Sequence, residues 1–286
     1  MAEKILIRKL KDYAEFEYLL HIQRIVWNHS DVNLTPTHQF RIHSRMGAIL
    51  LGAFVDGKMA GFVYSFPAIY DGGFCQHSHL LAVLPEFQGT GIGKKLKWAQ
   101  RREALKQGID LITWTYDPLQ AKNANLNLRT LGARSRTYFQ DLYGPIPSLC
   151  IGSGISTDRL LVEWPLGEKR VLDRQKGKGT GVKDGKRGSG RARRDAPLNL
   201  GAMPKALERG EPKGDPFPMP APPKMNIRER VVLVEIPPDV NALKPYPEII
   251  ASWRTGLRRV MQSYFKRGYA ADDFLIGEQC FYVLKK

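Results

Sequence analysis

Cysteine is scarce in this sequence. Only Cys75, Cys150 and Cys280 occur in 286 residues. They lie far apart and lack metal-site spacing. That excludes a disulfide-stapled scaffold and a cysteine-built metal centre, and no metal is expected. It fits reduced, buried thiols in a cytoplasmic protein. Long apolar runs are also missing. No stretch reaches the roughly 18 residues that a membrane span requires. The opening MAEKILIRKLKDY alternates charge with aliphatics and lacks an apolar signal core. We expect no membrane association. The third shortage is of acidic residues. Lys and Arg number 44 against 28 Asp and Glu, a net charge of +16. Such an excess suits nucleic acid, an anionic ligand or solvated basic tails.

The excess is unevenly placed. Residues 168–195 hold eleven Lys or Arg against four Asp or Glu. Six glycines fall within 177–190 and six prolines within 212–223. Neither run buries enough apolar surface to offset its chain entropy. Residues 167–230 therefore read as a largely disordered linker. A weak nucleic-acid contact through 168–195 is the alternative to a solvated one.

What remains is 43% hydrophobic overall, enough for a core. KILIRKL alternates like a strand. Asp12 with Glu15 three residues on has the capping-box pattern ahead of YAEFEYLLHIQRIVW. Thr35-Pro36 opens a second helix. AILLGAFV and KMAGFVYSF flank Asp56-Gly57, a hairpin signal. After Asp71-Gly72-Gly73 comes the strand CQHSHLLAVL, then a helix over 91–107 stopped by Gly108. IDLITWTY, the short helix KNANLNLRTL and the strands ARSRTYFQDLYG and DRLLVEWPL complete the series. The order to residue 166 is β-α-α-β-β-β-α-β-α-β-β. It predicts an α/β protein of α+β type, with a mixed sheet and helices on it. Residues 231–286 read β-α-β-β. RVVLVEIPP resembles the earlier RLLVEWPL, and the helix-strand-strand that follows echoes 121–164. This segment is thin for an independent core. We expect it to pack on the domain of residues 1–166 across the 167–230 linker.

The chemistry concentrates in PEFQGTGIGKKL, residues 85–96. Gly89, Gly91 and Gly93 alternate between a strand and a helix. Glycine admits positive φ and close ligand approach. Unpaired N–H groups at a helix N-terminus favour an anion, and Lys94 and Lys95 add charge. The alternative is a tight turn ahead of an ordinary helix. The dinucleotide fingerprint G-x-G-x-x-G fails, because the third glycine comes one residue early. The P-loop fails at Gln88 and Lys95.

A third pattern fits. LAVLPEFQGTGIGKKL resembles the acyl-CoA loop of the GNAT acetyltransferase superfamily, whose Gln/Arg-x-x-Gly-x-Gly/Ala motif is matched by Gln88, Gly91 and Gly93. Residues 4–166 also follow that superfamily's element order. ITWTYDPL, the Asn-rich helix after it and the C-terminal FYVL resemble a branch of the family with a C-terminal extension. The resemblance implies the GNAT fold and an N-acyltransferase using acetyl-CoA as cosubstrate. It implies that backbone N–H groups of Gln88, Gly89, Thr90, Gly91, Ile92 and Gly93 bind the CoA pyrophosphate, with Lys94 beside them. Strand 80–84 would splay from its neighbour, so that Leu81, Ala82 and Val83 pair with the pantetheine arm. One N–H there would polarise the thioester carbonyl.

Acyl transfer to an amine needs a base, and an acid for the leaving thiolate. His77 and His79 alternate on one strand, so they share a face, with Leu81 two residues further. His79 is the nearer candidate base. Hydrogen-bonded histidines at a polar strand end are the alternative. Asp117 either caps the next helix or orients substrate. Many family members carry a Tyr acid where this chain has Asn127. Tyr116, Tyr138 and Tyr143 lie nearby in sequence, and Tyr143 is the candidate retained. Asn123 and Asn125 either contact CoA or serve the helix. Trp27, Trp114 and Trp253 line an acceptor pocket or pack the core. The acceptor is a small amine, an amino acid derivative, or a protein N-terminus or lysine. The rival reading is a non-catalytic acyl-CoA-binding module.

Overall fold

The computed structural model describes residues 5–28, 30–144, 155–177, 203–211 and 217–286. It divides into two compact units, Met1–Trp114 with Glu163–Glu168, and Thr115–Val162 with Lys169–Lys286. Among the described residues no helix is long and apolar enough to cross a membrane.

The first unit starts with β1 (Ile5–Lys9) and α1 (Tyr13–Trp27). Asp12 is the N-cap, and Glu15 accepts from the N–H groups of Lys11 (2.7 Å) and Asp12 (3.4 Å), completing the capping box. α1 buries Phe16, Leu19, Ile22 and Gln23. The Gln23 amide accepts from the Thr35 N–H at 2.9 Å and donates to its carbonyl at 3.2 Å. That pair fixes the approach to α2 (Thr37–Arg45). β2 (Ile49–Val55) and β3 (Lys58–Tyr70) turn at Asp56 (φ 48°) and Gly57 (φ 82°). β3 and β4 (Gly73–Val83) turn at Asp71 (φ 51°) and Gly72 (φ 76°). Two successive positive φ values make each a type I′ turn, whose twist matches the strands. α3 (Ile92–Lys106) and β5 (Leu111–Tyr116) follow. The strands lie in the order β1-β2-β3-β4-β5. Phe16, Leu19, Ile22, Phe40, Phe62 and Tyr64 lie in the core under α1 and α2.

Two irregularities shape this sheet. β3 and β4 pair Tyr64 with Leu80 and Ser65 with Ser78, leaving His79 as the extra residue of a β-bulge. β4 and β5 are parallel and pair only at Gln76–Ile112 and His77–Thr113. Beyond those positions the two strands are unpaired.

The second unit contains α4 (Ala121–Ala124), which runs on as a π-helical turn over Asn125–Thr130. It also holds β6 (Arg134–Phe139), the start of β7 (Arg159–Pro165), α5 (Lys169–Gln175) and β8 (Lys205–Leu207). The chain ends with β9 (Val231–Ile236), α6 (Pro247–Lys266), β10 (Ala270–Leu275) and β11 (Cys280–Lys285). The strand order is β7-β6-β10-β11-β9-β8. β6 and β10 pair antiparallel at Ser135–Ala271. On either side of that contact a helix precedes two neighbouring strands.

The composition of 167–230 predicts a linker, yet its described residues carry structure. Besides α5 and β8, Arg209 bridges Pro220. The extended run after the prolines donates few N–H groups, and α6 and the turn after it supply donors to its carbonyls. Tyr264 Oη reaches Lys224 O at 2.9 Å, Arg267 reaches Met225 O at 2.8 Å, and Tyr269 Oη reaches Glu229 O at 2.8 Å. Of the basic stretch 168–195, residues 178–195 lie outside the described residues, as does Cys150. Cys75 and Cys280 are buried and free.

Candidate active site

The glycine loop follows β4 through a single 3-10 turn, Pro85–Phe87. Two side chains lock it. Gln88 Nε2 donates to Val83 O at 3.1 Å, and Thr90 Oγ1 donates to Phe87 O at 2.7 Å. The Gln88 N–H is already committed to Pro85 O at 3.2 Å, so this residue braces the loop rather than offering its own N–H. Gly89 and Gly91 sit at φ 81° and 85°, conformations that side chains rarely adopt. Gly91 is the N-cap of α3, and the first helical bond runs from Lys95 N–H to Gly91 O at 3.0 Å. The N–H groups of Gly89, Thr90, Gly91, Ile92, Gly93 and Lys94 have no acceptor among the described residues. A Cβ on Gly89 or Gly91 would meet nothing within 4 Å, so their surroundings are open. Buried Ile92 anchors the helix while Lys94 and Lys95 stay exposed. This is a cradle of donors at a helix N-terminus, suited to a phosphate or pyrophosphate.

The adjoining edge is open as well. Leu84 N–H donates to Ala60 O at 2.9 Å, toward β3. Strand alternation then turns the Ala82 backbone groups toward β3 and those of Leu81 and Val83 away from it. Val83 O is held by Gln88. The Leu81 groups and the Val83 N–H face the side that β5 has left. Of the three predicted pantetheine residues, two offer a free edge and Ala82 does not. Gly61 of β3 makes this geometry possible. A Cβ there would lie 2.4 Å from Ala82 O.

His77 and His79 do share a face. Both rings lie against Phe66, with centroids 5.6 and 5.9 Å away. The bulge changes the rest of the expectation. Leu80 and Ala82 pack with the α1 and α2 core, whereas Val83 points to α3, where its Cγ2 lies 3.8 Å from a Cβ built on Gly93. Leu81, two residues from Val83, therefore faces opposite to His79. Burial, then the neighbouring His79 and Lys97, lowers the His77 pKa to about 4. Its Nδ1 is 3.0 Å from Thr113 Oγ1. His79 packs edge-on to Tyr64 at 6.0 Å. That desolvation, and then His43, lowers its pKa, although its outer edge meets solvent. His43 Nδ1 is hydrogen-bonded to the Tyr64 hydroxyl. Sequence reading missed His43 and Tyr64, because only the sheet register brings α2 over this part of β3.

Apart from Trp27 and Trp114, the remaining candidates belong to the second unit. Asp117 caps the following turn through Leu119 N–H at 2.9 Å and grips Arg254 at 2.7 and 2.8 Å. Tyr143 is exposed, and its hydroxyl lies 2.8 Å from Thr115 Oγ1. Tyr116 and Tyr282 join hydroxyls at 3.1 Å inside the core, and Tyr138 donates to Asp158 at 2.6 Å. Asn127 is buried in the π-helical turn, and Asn123 is exposed. Trp253 donates to Pro218 O at 3.0 Å and is a core residue, as is Trp114. Trp27 is half-buried. Among the described residues no cluster of His, Cys, Asp and Glu is arranged to hold a metal.

Several known proteins are similar to part of this chain. No curated protein matches the sequence. A putative acetyltransferase of Salmonella typhimurium, solved with its cofactor acetyl-CoA, is 18% identical with a TM-score of 0.47, over 58% of this chain and 95% of its own. The ribosomal-protein-S18-alanine N-acetyltransferase of Escherichia coli is 18% identical with a TM-score of 0.46, over 58% and 96%. The PaiA N-acetyltransferase of Thermoplasma acidophilum, solved with coenzyme A, is 19% identical with a TM-score of 0.42, over 57% and 99%. The family model described as "Acetyltransferase (GNAT) family" matches residues 4–132. Residues 4–132 of this chain are therefore similar to the GNAT family of acetyltransferases.

Proposed function

We propose that this protein transfers an acetyl group from acetyl-CoA directly to an amine. The observation that carries this reading is the join of two open features. A cradle of unpaired N–H groups from Gly89 to Lys94 ends β4 at the start of α3. The free edge of Leu81 and Val83 leads from it toward the point where β4 and β5 part. The first suits the pyrophosphate, and the second suits the amide-bearing pantetheine arm, added like a strand. A free N–H along that edge would polarise the thioester carbonyl.

His79 is the proposed base. Its pKa is lowered, so the ring is neutral at pH 7 and accepts a proton. His77 is less suited, because its Nδ1 is engaged by Thr113. In the transfer the acceptor nitrogen bonds to the acyl carbon, the carbon–sulfur bond breaks with its electron pair on sulfur, and the nitrogen's proton passes to His79. The acceptor is a small amine, an amino acid derivative, or a protein N-terminus or lysine.

Calorimetry with acetyl-CoA tests the donor. Binding should be measurable and should vanish in Gly91→Glu, whose carboxylate occupies the anion cradle. Undetectable binding to the wild type would sink the reading. A CoA-release screen over amines tests the chemistry. His79→Ala should lower kcat by about 10²–10⁴ with little change in acetyl-CoA affinity. Tight acetyl-CoA binding with background turnover on every amine class would instead make this a binding module.

A further inference from the structure

Among the described residues no acidic side chain lies against Lys97. It is 2% exposed on α3. Its Nζ donates to Gln100 Oε1 at 2.6 Å and to Ser78 Oγ at 3.1 Å, and lies 3.8 Å from the centre of the Trp114 ring. Trp164 of β7 stands further off, at 5.4 Å. None of these groups is acidic. The nearest titratable group on β4 is His77, which is itself neutral at pH 7. The next cation on α3, Arg101, is turned to Leu166 O.

The location is specific. β4 and β5 last pair at His77–Thr113. Ser78 and Trp114 are the next residue on each strand, so the Lys97 amine sits in the crotch where the strands part. The free edge of Val83 and Leu81 leads from the anion cradle to this same crotch. A pantetheine arm lying along that edge brings its sulfur toward Ser78.

Resting on the acetyl-transfer reading, we propose that Lys97, through the Ser78 hydroxyl it holds, supplies the proton to the thiolate that leaves. As the carbon–sulfur bond breaks, its electron pair stays on sulfur. The Lys97 ammonium gives a proton to Ser78 Oγ as Ser78 gives its own to sulfur, yielding CoA thiol and a neutral amine. Water returns a proton to Lys97 once CoA departs. Burial suits this task, because it lowers the Lys97 pKa well below the usual 10.5 and makes the ammonium a readier proton donor than an exposed lysine. The position also answers the substitution of Asn127 for the tyrosine acid that the family resemblance led one to expect.

The test needs no acceptor. The thiol of CoA bound to the full chain is titrated by thiolate ultraviolet absorbance, with the desulfo-CoA complex as baseline. In the wild type the bound thiol should titrate about one unit or more below free CoA, the effect of a nearby cation. In Lys97→Met the shift should disappear while desulfo-CoA affinity is unchanged. If Lys97→Met fails to fold, Lys97→Gln keeps the hydrogen bonds without the charge and should behave alike. Identical titration in wild type and variant overturns the proton-donor role and leaves acetyl transfer standing. Failure of the wild type to bind CoA at all overturns both.

Discussion

Most buried charges here are matched by partners, and the exception is informative. Asp117 and Arg254 form a two-pronged pair with side-chain exposures of 11% and 2%. Arg254→Met leaves Asp117 with the more distant Arg159 at 3.9 Å, so it should lower stability by about 3 kcal/mol, read from urea unfolding. Asp158 is fully buried. Burial pushes its carboxyl up, but bonds from Arg258, Tyr138, the Asp141 N–H and Ser156 outweigh this and hold it below the ordinary 3.8. The unfolded chain therefore takes up that proton first, and the contribution present above about pH 4 is lost as pH falls further. Lys97 has the opposite logic. Its folded pKa lies below that of an unfolded lysine, so the unfolded state binds more protons and stability rises with pH up to about 10.4. Lys97→Met should raise the melting temperature at pH 7 by on the order of a few degrees and flatten that rise. Thermal melts across pH 6–10 check it. These pairings are separated by up to 137 residues, and local sequence carries no trace of them.

At the scale of elements, the local signals were reliable and the register was not. The capping box of α1 and both Asp-Gly turns form as their residues dictate, since each is set by neighbours within four positions. The bulge at His79 depends on how β3 meets β4, and it decides which residues face the histidines. The π-helical turn at Asn125–Thr130 was equally hidden, because NLNLRT is compatible with an ordinary α-helix. Gly61 matters for the same reason of strand contact. Gly61→Ala would drive a methyl into the Ala82 carbonyl, costing about 1–3 kcal/mol and weakening acetyl-CoA binding as β4 shifts. Gly73→Ala is the control, for its Cβ would have 3.8 Å of clearance and no unusual φ. Paired calorimetry and unfolding curves would separate the two. Equal behaviour of both variants would remove the role assigned to Gly61.

Across the whole chain, the C-terminal segment is part of a sheet rather than an appendage. β6 and β7 lie beside β10 and β11, each pair of strands following its helix. The ion pairs cross between the two halves. Arg258 of α6 grips Asp158 at 2.8 Å, while Arg129 of the π-helical turn lies 3.6 Å from Asp273 of β10. Removing residues 231–286 would expose the edge of β6, take Arg254 from Asp117 and take Arg258 from Asp158. The shortened chain should be insoluble or lack a cooperative melt. A soluble, two-state 1–230 fragment would refute this dependence. By itself the sequence determined the helices α1 to α3, the two Asp-Gly turns and the glycine loop, because those rest on φ preferences and neighbours a few residues apart. It also hinted at the repeated strand RVVLVEIPP. Only the tertiary structure decided that the loop opens onto a free strand edge, that a bulge turns Leu81 away from His79, and that an unpaired lysine stands where the strands part. Each of those follows from backbone pairing between distant segments, whose register is set by packing across the sheet.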